Sequence, residues 1–194
     1  GEISSVVGHR HGDTRPGAWD PEARIQDQQL DNVWAEVIYP GLFGLQFWTL
    51  SDPDYQRECW RVYNDWLSEF CAAVPGRLLG AGFLPMKGPI EWAITEARRI
   101  ASKPGLASIA IPAEVECSYR DPKFEALWEV LDDIGLPISI HSGTSTGEPF
   151  AARFARLGMG MGVVDTKIAL PLRALADLLW SAIPARYPNL RFVL

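Results

Sequence analysis

The sequence predicts an α/β fold built on a parallel sheet, and three observations carry that prediction. Apolar runs of strand length alternate with amphipathic helical stretches along the chain. The runs are continuously apolar, as strands covered on both faces are, and proline or glycine marks the breaks between elements. Two architectures of this class compete, a (β/α) barrel and an open doubly wound sheet. No GxGxxG follows a strand, while proline or histidine stands at strand carboxyl ends, the face on which a barrel carries its site. The barrel is therefore the expectation.

Taken in order, residues 1–30 are polar and punctuated by Gly, Pro and Asp, and read as mostly loop with one helical turn starting near Pro21. Residues 35–39, closed by Pro40-Gly41, form a short strand. The clearest helix follows. Asp52 can cap it and Pro53 suits its first position, where a missing N–H costs nothing. Tyr55, Cys59, Val62, Tyr63, Trp66, Leu67 and Phe70 recur at helical spacing until Pro75-Gly76 stops the run. The cycle then repeats: a strand at 77–84 ended by Pro85, and a helix after Pro89 on Ile90, Ala93, Ile94, Ala97 and Ile100. A strand at 106–111 runs into Pro112. Asp121-Pro122 starts a further helix on Phe124, Leu127, Trp128, Leu131 and Ile134, closed by Gly135. The strand 136–140 ends on His141. Residues 143–165, with Gly-Met-Gly-Met-Gly at 158–162, read as loop, followed by a helix at 172–183 and a strand at 190–194. A barrel needs about eight strands and roughly 250 residues. These five strands form one domain that reads as part of such a barrel.

Composition narrows the function classes. With 47% hydrophobic and 22% charged residues, the 194-residue chain has the make-up of a soluble globular domain. The net charge of −6 is spread along the chain without a basic stripe, which argues against a nucleic-acid partner. No apolar stretch is long enough for a membrane span, and the first residues show no basic region leading into a hydrophobic one, so no signal peptide is expected. The three cysteines lack CxxC spacing. Cys59 and Cys71, on one helical pattern, would lie about 18 Å apart, beyond disulfide reach. Reduced thiols and a cytoplasmic location are the expectation. The partner implied is a small-molecule substrate, with a homo-oligomer possible.

His141 is the candidate that carries chemistry. At the carboxyl end of a buried parallel strand it would sit at the mouth of the site in either architecture. There an imidazole suits a divalent metal or general-base work, and equally suits a structural hydrogen bond that closes the strand. Ser142, Gly143 and Thr144 would line the same rim. The His9-Arg10-His11 pair has metal-ligand spacing, but its Gly-flanked, polar setting reads as a solvated loop. Ser142 beside His141 makes no nucleophile–base pair, because neighbours on a strand face opposite ways. No GxSxG and no paired carboxylates stand out. No catalytic residue is assigned.

Four stretches in order, "WDPEARIQDQQLDNVWAEVIYP", "YNDWLSEFCAAVPGRLLGAGFLP", "DPKFEALWEVLDDIGLPISIHSG" and "RYPNLRFVL", resemble the amidohydrolase-2 family. The likeness is to its aminocarboxymuconate-semialdehyde-decarboxylase-like branch, and it runs from Trp19 to Leu194. The resemblance implies a TIM-type (β/α)8 barrel of which this chain covers roughly strands 2 to 6. It also implies one divalent metal, usually zinc, held by an HxH on the first strand, a histidine after the fifth and an aspartate after the eighth. On that likeness His141 is the fifth-strand metal ligand. The HxH strand would precede Gly1, His9-Arg10-His11 would fall in the loop after it, and the aspartate would lie beyond Leu194. The implied activity is decarboxylation or hydrolysis of a small carboxylate. The alternative is a catalytically incompetent barrel fragment or interaction module.

Overall fold

The computed structural model describes residues 14–194. Its spine is one sheet of five parallel strands: β1 (Glu36–Ile38), β2 (Leu78–Phe83), β3 (Leu106–Glu114), β4 (Ile138–Ser145) and β5 (Phe192–Val193). They neighbour one another in the order in which they occur, β1-β2-β3-β4-β5. Crossovers of one hand that always step the same way place all the connecting helices on one face. A doubly wound sheet reverses its order at a switch point. The unreversed order decides for the barrel-type winding.

Helix α1 (Pro21–Leu30) is a full ten residues where a single turn was expected. The Asp20 side chain accepts from the backbone N–H groups of Glu22 and Ala23, and Pro21 takes the first helical position. Its apolar stripe is thin, which hid it: Gln28 is the buried position, with Ile25 packed against the core. After β1 the chain forms a short helix α2 (Leu42–Leu45) and a 3-10 turn (Gln46–Thr49) that was not anticipated. Trp48 fixes this turn, fully buried, with its indole N–H donating to the Leu84 carbonyl at 2.8 Å. The turn packs against β4.

Helix α3 (Pro53–Ala72) carries the expected Asp52 cap and packs on β2. Helix α4 (Ile90–Ala101) packs on β3 and on α5 (Glu125–Ile134). Gly82 is what lets α4 approach, since a Cβ there would sit 2.8 Å from the Ile100 side chain. Strand β3 does not stop at Pro112 but runs on to Glu114, and β4 runs past His141 to Ser145. Proline removes one donor yet leaves its carbonyl, which accepts from the Tyr119 hydroxyl at 2.5 Å. The apolar core lies between sheet and helices, with Ile109, Ile111, Ile138, Trp60 and Trp128 fully buried.

The segment read as loop at 143–165 is largely helical. Helix α6 (Phe150–Val164) passes through a π-helical turn (Asp165–Ala169) into α7 (Leu170–Trp180). Three glycines in five residues disfavour a helix by propensity. The helix nevertheless forms, with one break at Gly158 (φ 74, ψ 165), and Arg153 near its start ties it to Asp165 just past its end and to Glu114 of β3. The helix expected at 172–183 thus starts earlier and ends at Trp180. A one-turn helix α8 (Ile183–Arg186) leads to β5.

Candidate metal-binding site

The site is built where β3 and β4 pair, in the registers Ala110–Ser139 and Pro112–His141, with His141 four residues before the end of β4 rather than on its last residue. Ser139 and His141, two apart on one strand, face the same side. Above them lies the Tyr39 ring from the end of β1, with its centroid 5.5 Å from that of His141 at an interplanar angle of 64°. The Tyr39 hydroxyl shares a 2.8 Å hydrogen bond with Ser139 Oγ, which shares another of 3.2 Å with Ser108 Oγ. A row of three hydroxyls therefore runs beneath the imidazole. Tyr39 also borders a cavity of about 440 Å³, lined by Ile38, Pro40, Phe47, Tyr63 and Trp66 among others.

His141 is half-buried and its protonation state follows from its contacts. Nδ1 lies 2.9 Å from the Ser142 carbonyl. A carbonyl only accepts, so Nδ1 carries the proton and Nε2 keeps its lone pair. Burial pulls the imidazole below its ordinary pKa, the bond to Ser142 opposes that, and the Lys167 charge adds to the lowering. A neutral imidazole, oriented through its second nitrogen, is the form that ligates metals. Thr144 braces the same rim: its hydroxyl donates to the His141 carbonyl and accepts from the Ala113 N–H at 3.0 Å.

The donor set is otherwise sparse. No group of three or more His, Cys, Asp or Glu side chains that could hold an ion occurs among the described residues. His141 fits one ligand position, and the described residues do not complete a metal site around it. His9 and His11 lie outside the described residues. Of the rim expected from the sequence, Ser142 and Thr144 are in place.

Sequence reasoning missed an ion cluster beside this site. Arg153 of α6, buried to 6% side-chain exposure, binds Glu114 at the end of β3, Asp165 of the π turn at 2.6 Å, and Glu148 at 3.3 Å. Its members are spread over 114–165, so no local pattern marks them. The missed Lys167 donates to Ser142 Oγ at 3.4 Å.

Parallel strands wound in one direction, with helices between them, place the chain in the (β/α)-barrel class of scaffolds. The amidohydrolase family model (Amidohydro_2) matches residues 9–194, and the chain belongs to that family. Among curated proteins, it is 30% identical over 133 residues to the 2-amino-3-carboxymuconate-6-semialdehyde decarboxylase of Dictyostelium discoideum, covering 67% of this chain and 36% of that protein. Among solved structures it is similar to the 5-carboxyvanillate decarboxylase of Sphingomonas paucimobilis, with TM-score 0.72, 24% identity, and 88% of this chain and 50% of that one covered. It is also similar to a dihydroxybenzoic acid decarboxylase from Polaromonas sp. JS666, which holds manganese and an inhibitor, with TM-score 0.67, 20% identity, and coverage of 87% and 52%. The chain thus spans about a third of the curated relative and about half of the solved ones. Among the described residues no helix is long and apolar enough to cross a membrane.

Proposed function

We propose that the protein performs metal-dependent decarboxylation of a small aromatic or unsaturated carboxylate, with His141 as one ligand of a divalent ion. The observation that carries the reading is the geometry of His141 on β4: Nδ1 is committed to the Ser142 carbonyl and Nε2 is left for a metal, and burial favours the neutral imidazole. Membership of the amidohydrolase family and the decarboxylase relatives support it. Zinc, the family's usual ion, is the first metal to test, and manganese, present in the Polaromonas relative, is the second. The hydroxyl row of Tyr39, Ser139 and Ser108 would orient polar groups of the substrate beneath the ion. Cys59, Cys71 and Cys117 are free thiols, which supports a cytoplasmic setting. Hydrolysis of a related carboxylate is the variant reading of the same site.

A reading of another class, a barrel portion that packs without catalysing, is favoured by one observation: the described residues supply a single ligand. The test is release of CO2 by the protein as expressed from its gene, loaded with Zn²⁺ or Mn²⁺. The substrates are 2-amino-3-carboxymuconate-6-semialdehyde and a panel of hydroxybenzoates. The decarboxylase reading expects turnover that falls by more than about 100-fold in His141→Asn, a larger loss than removal of an outer-shell partner produces. Absence of turnover on every substrate would decide for the packing role, and full activity of His141→Asn would remove His141 from the metal site.

A further inference from the structure

We propose that the Lys167 ammonium and the Ser142 hydroxyl form an anion position beside His141 that takes a carboxylate of the substrate. The assignment rests on the reading of His141 as the active-site marker.

Four observations carry it. The first is the missing counter-charge. Lys87 pairs with Glu116 at 3.5 Å and Lys103 with Asp65 at 2.6 Å, whereas Lys167 and Lys123 have no carboxylate within 4 Å among the described residues, and of these two only Lys167 lies beside His141. In a chain of net charge −6, an exposed ammonium without a carboxylate is open to an external anion.

The second is the backbone that carries it. Lys167 is the middle residue of the π-helical turn Asp165–Ala169. Such turns are rare and appear mostly as single bulges, frequently at functional sites. Here the widened turn sits on β4.

The third is rigidity on the N-terminal side of the lysine. Asp165 is held at 2.6 Å by the buried Arg153, which also binds Glu114 of β3. Thr166 is buried, with its hydroxyl donating to the Gly162 carbonyl at 2.7 Å. The carboxylate nearest in sequence, Asp165, and the others of the same cluster, Glu114 and Glu148, are all engaged by arginine. They are thereby occupied, and do not quench the lysine.

The fourth is the link to His141. Ser142 holds the imidazole through its carbonyl and meets Lys167 through its hydroxyl. A carboxylate bridging the ammonium and the hydroxyl would therefore lie one residue from the proposed metal ligand. Lys167 is read as a residue that touches the substrate and selects for an acid over its neutral analogue.

The experiment is an NMR titration of the full chain with benzoate and with benzamide, its neutral counterpart. The expected result is shift changes at Ser142 and His141, with benzoate bound more tightly. Lys167→Met should weaken benzoate by about tenfold or more, as loss of a charge-assisted hydrogen bond does, and leave benzamide unchanged. Lys167→Arg should restore the preference for the acid. Unchanged benzoate binding in Lys167→Met, or equal weakening of both probes, would overturn the assignment. Mn²⁺ broadening at His141, read on the same samples, separates the two claims. A Lys167-dependent benzoate site without that broadening would uphold the anion position and retire the decarboxylase reading.

Discussion

Arg153 is the residue on which the region beside the site depends most. Its guanidinium is almost fully withdrawn from water and faces three carboxylates from three segments of the chain. Removing it leaves Asp165 and Glu114 with only the longer contacts to Arg173, at 3.8 and 3.7 Å, a change that costs about 2–3 kcal/mol, less than the loss of a sole buried partner. Arg153→Met should therefore lower stability by about that amount in chemical denaturation. Glu148→Gln, at an exposed carboxylate whose partner keeps two others, should have a much smaller effect. Equal effects of the two substitutions would show that the cluster is solvated. At this scale the sequence was half legible. His141 could be found because an imidazole ending an apolar run is conspicuous. Arg153 and Lys167 could not, because their significance lies in partners 39 and 25 residues away.

Between elements, single polar side chains join layers that apolar packing alone would let slide. Asn64 of α3 is fully buried at the end of β2. Its Nδ2 donates to the Phe83 carbonyl at 2.9 Å and to Glu96 of α4 at 2.5 Å, and its Oδ1 accepts from the Phe83 N–H at 2.8 Å. Asn64→Ala strands two backbone groups and should cost about 2–3 kcal/mol. Asn64→Asp should cost more, since it removes the donor and places a carboxylate against Glu96. Chemical denaturation that ranks alanine below aspartate in stability would contradict this.

Helix α1 is tied to β1 by Arg24, which meets both carboxylate oxygens of Glu36. The Arg24 hydrogen bond holds Glu36 below its ordinary value near 4.5. A carboxylate lowered by folding stabilises the fold above its unfolded pKa, and that stabilisation is lost as pH falls through the folded value. Arg24→Met should therefore lose about 0.5–1 kcal/mol at neutral pH, a modest figure because both groups are partly exposed. The difference should shrink as pH falls below about 4.5. A gap that persists at pH 3 would point to lost packing.

Elements whose periodicity is apolar were legible from sequence, as α3, α4 and α5 show. Elements stabilised by caps or distant ion pairs were not. Helix α1 has few apolar positions and forms on its Asp20 cap. Helix α6 contains glycines that local propensity reads as loop, and ion pairs of Arg153 with Asp165 and Glu114, formed in the folded chain, help hold it.

At the scale of the whole molecule, the winding of the sheet and the family agree, and the same architecture leaves apolar surface uncovered. Val37 of β1 and Val193 of β5 stand half exposed at the two edges of the sheet, and Trp180 at the end of α7 is 81% exposed. Apolar sheet edges are templates for association. The chain on its own should self-associate, so its sedimentation coefficient should rise with concentration, and Val37→Lys with Trp180→Lys should reduce that rise. A monodisperse monomer at all concentrations would show these surfaces to be innocuous. The barrel class was legible because strand order follows from unbroken strand–helix alternation. Residues alone offered one candidate ligand, His141, and the further ligands came only from the family resemblance, since metal ligands in such a barrel come from strands far apart in sequence.

The central claim is that His141 is a metal ligand, and paramagnetic broadening by Mn²⁺ on the full chain, followed by NMR, tests it most directly. Broadening should centre on the His141 ring and reach Tyr39, Ser139 and Ser142. It should vanish in His141→Asn, at an affinity well below that of a site with three or four protein ligands. Broadening centred instead on the Glu114, Glu148 and Asp165 carboxylates, or unchanged in His141→Asn, would contradict it.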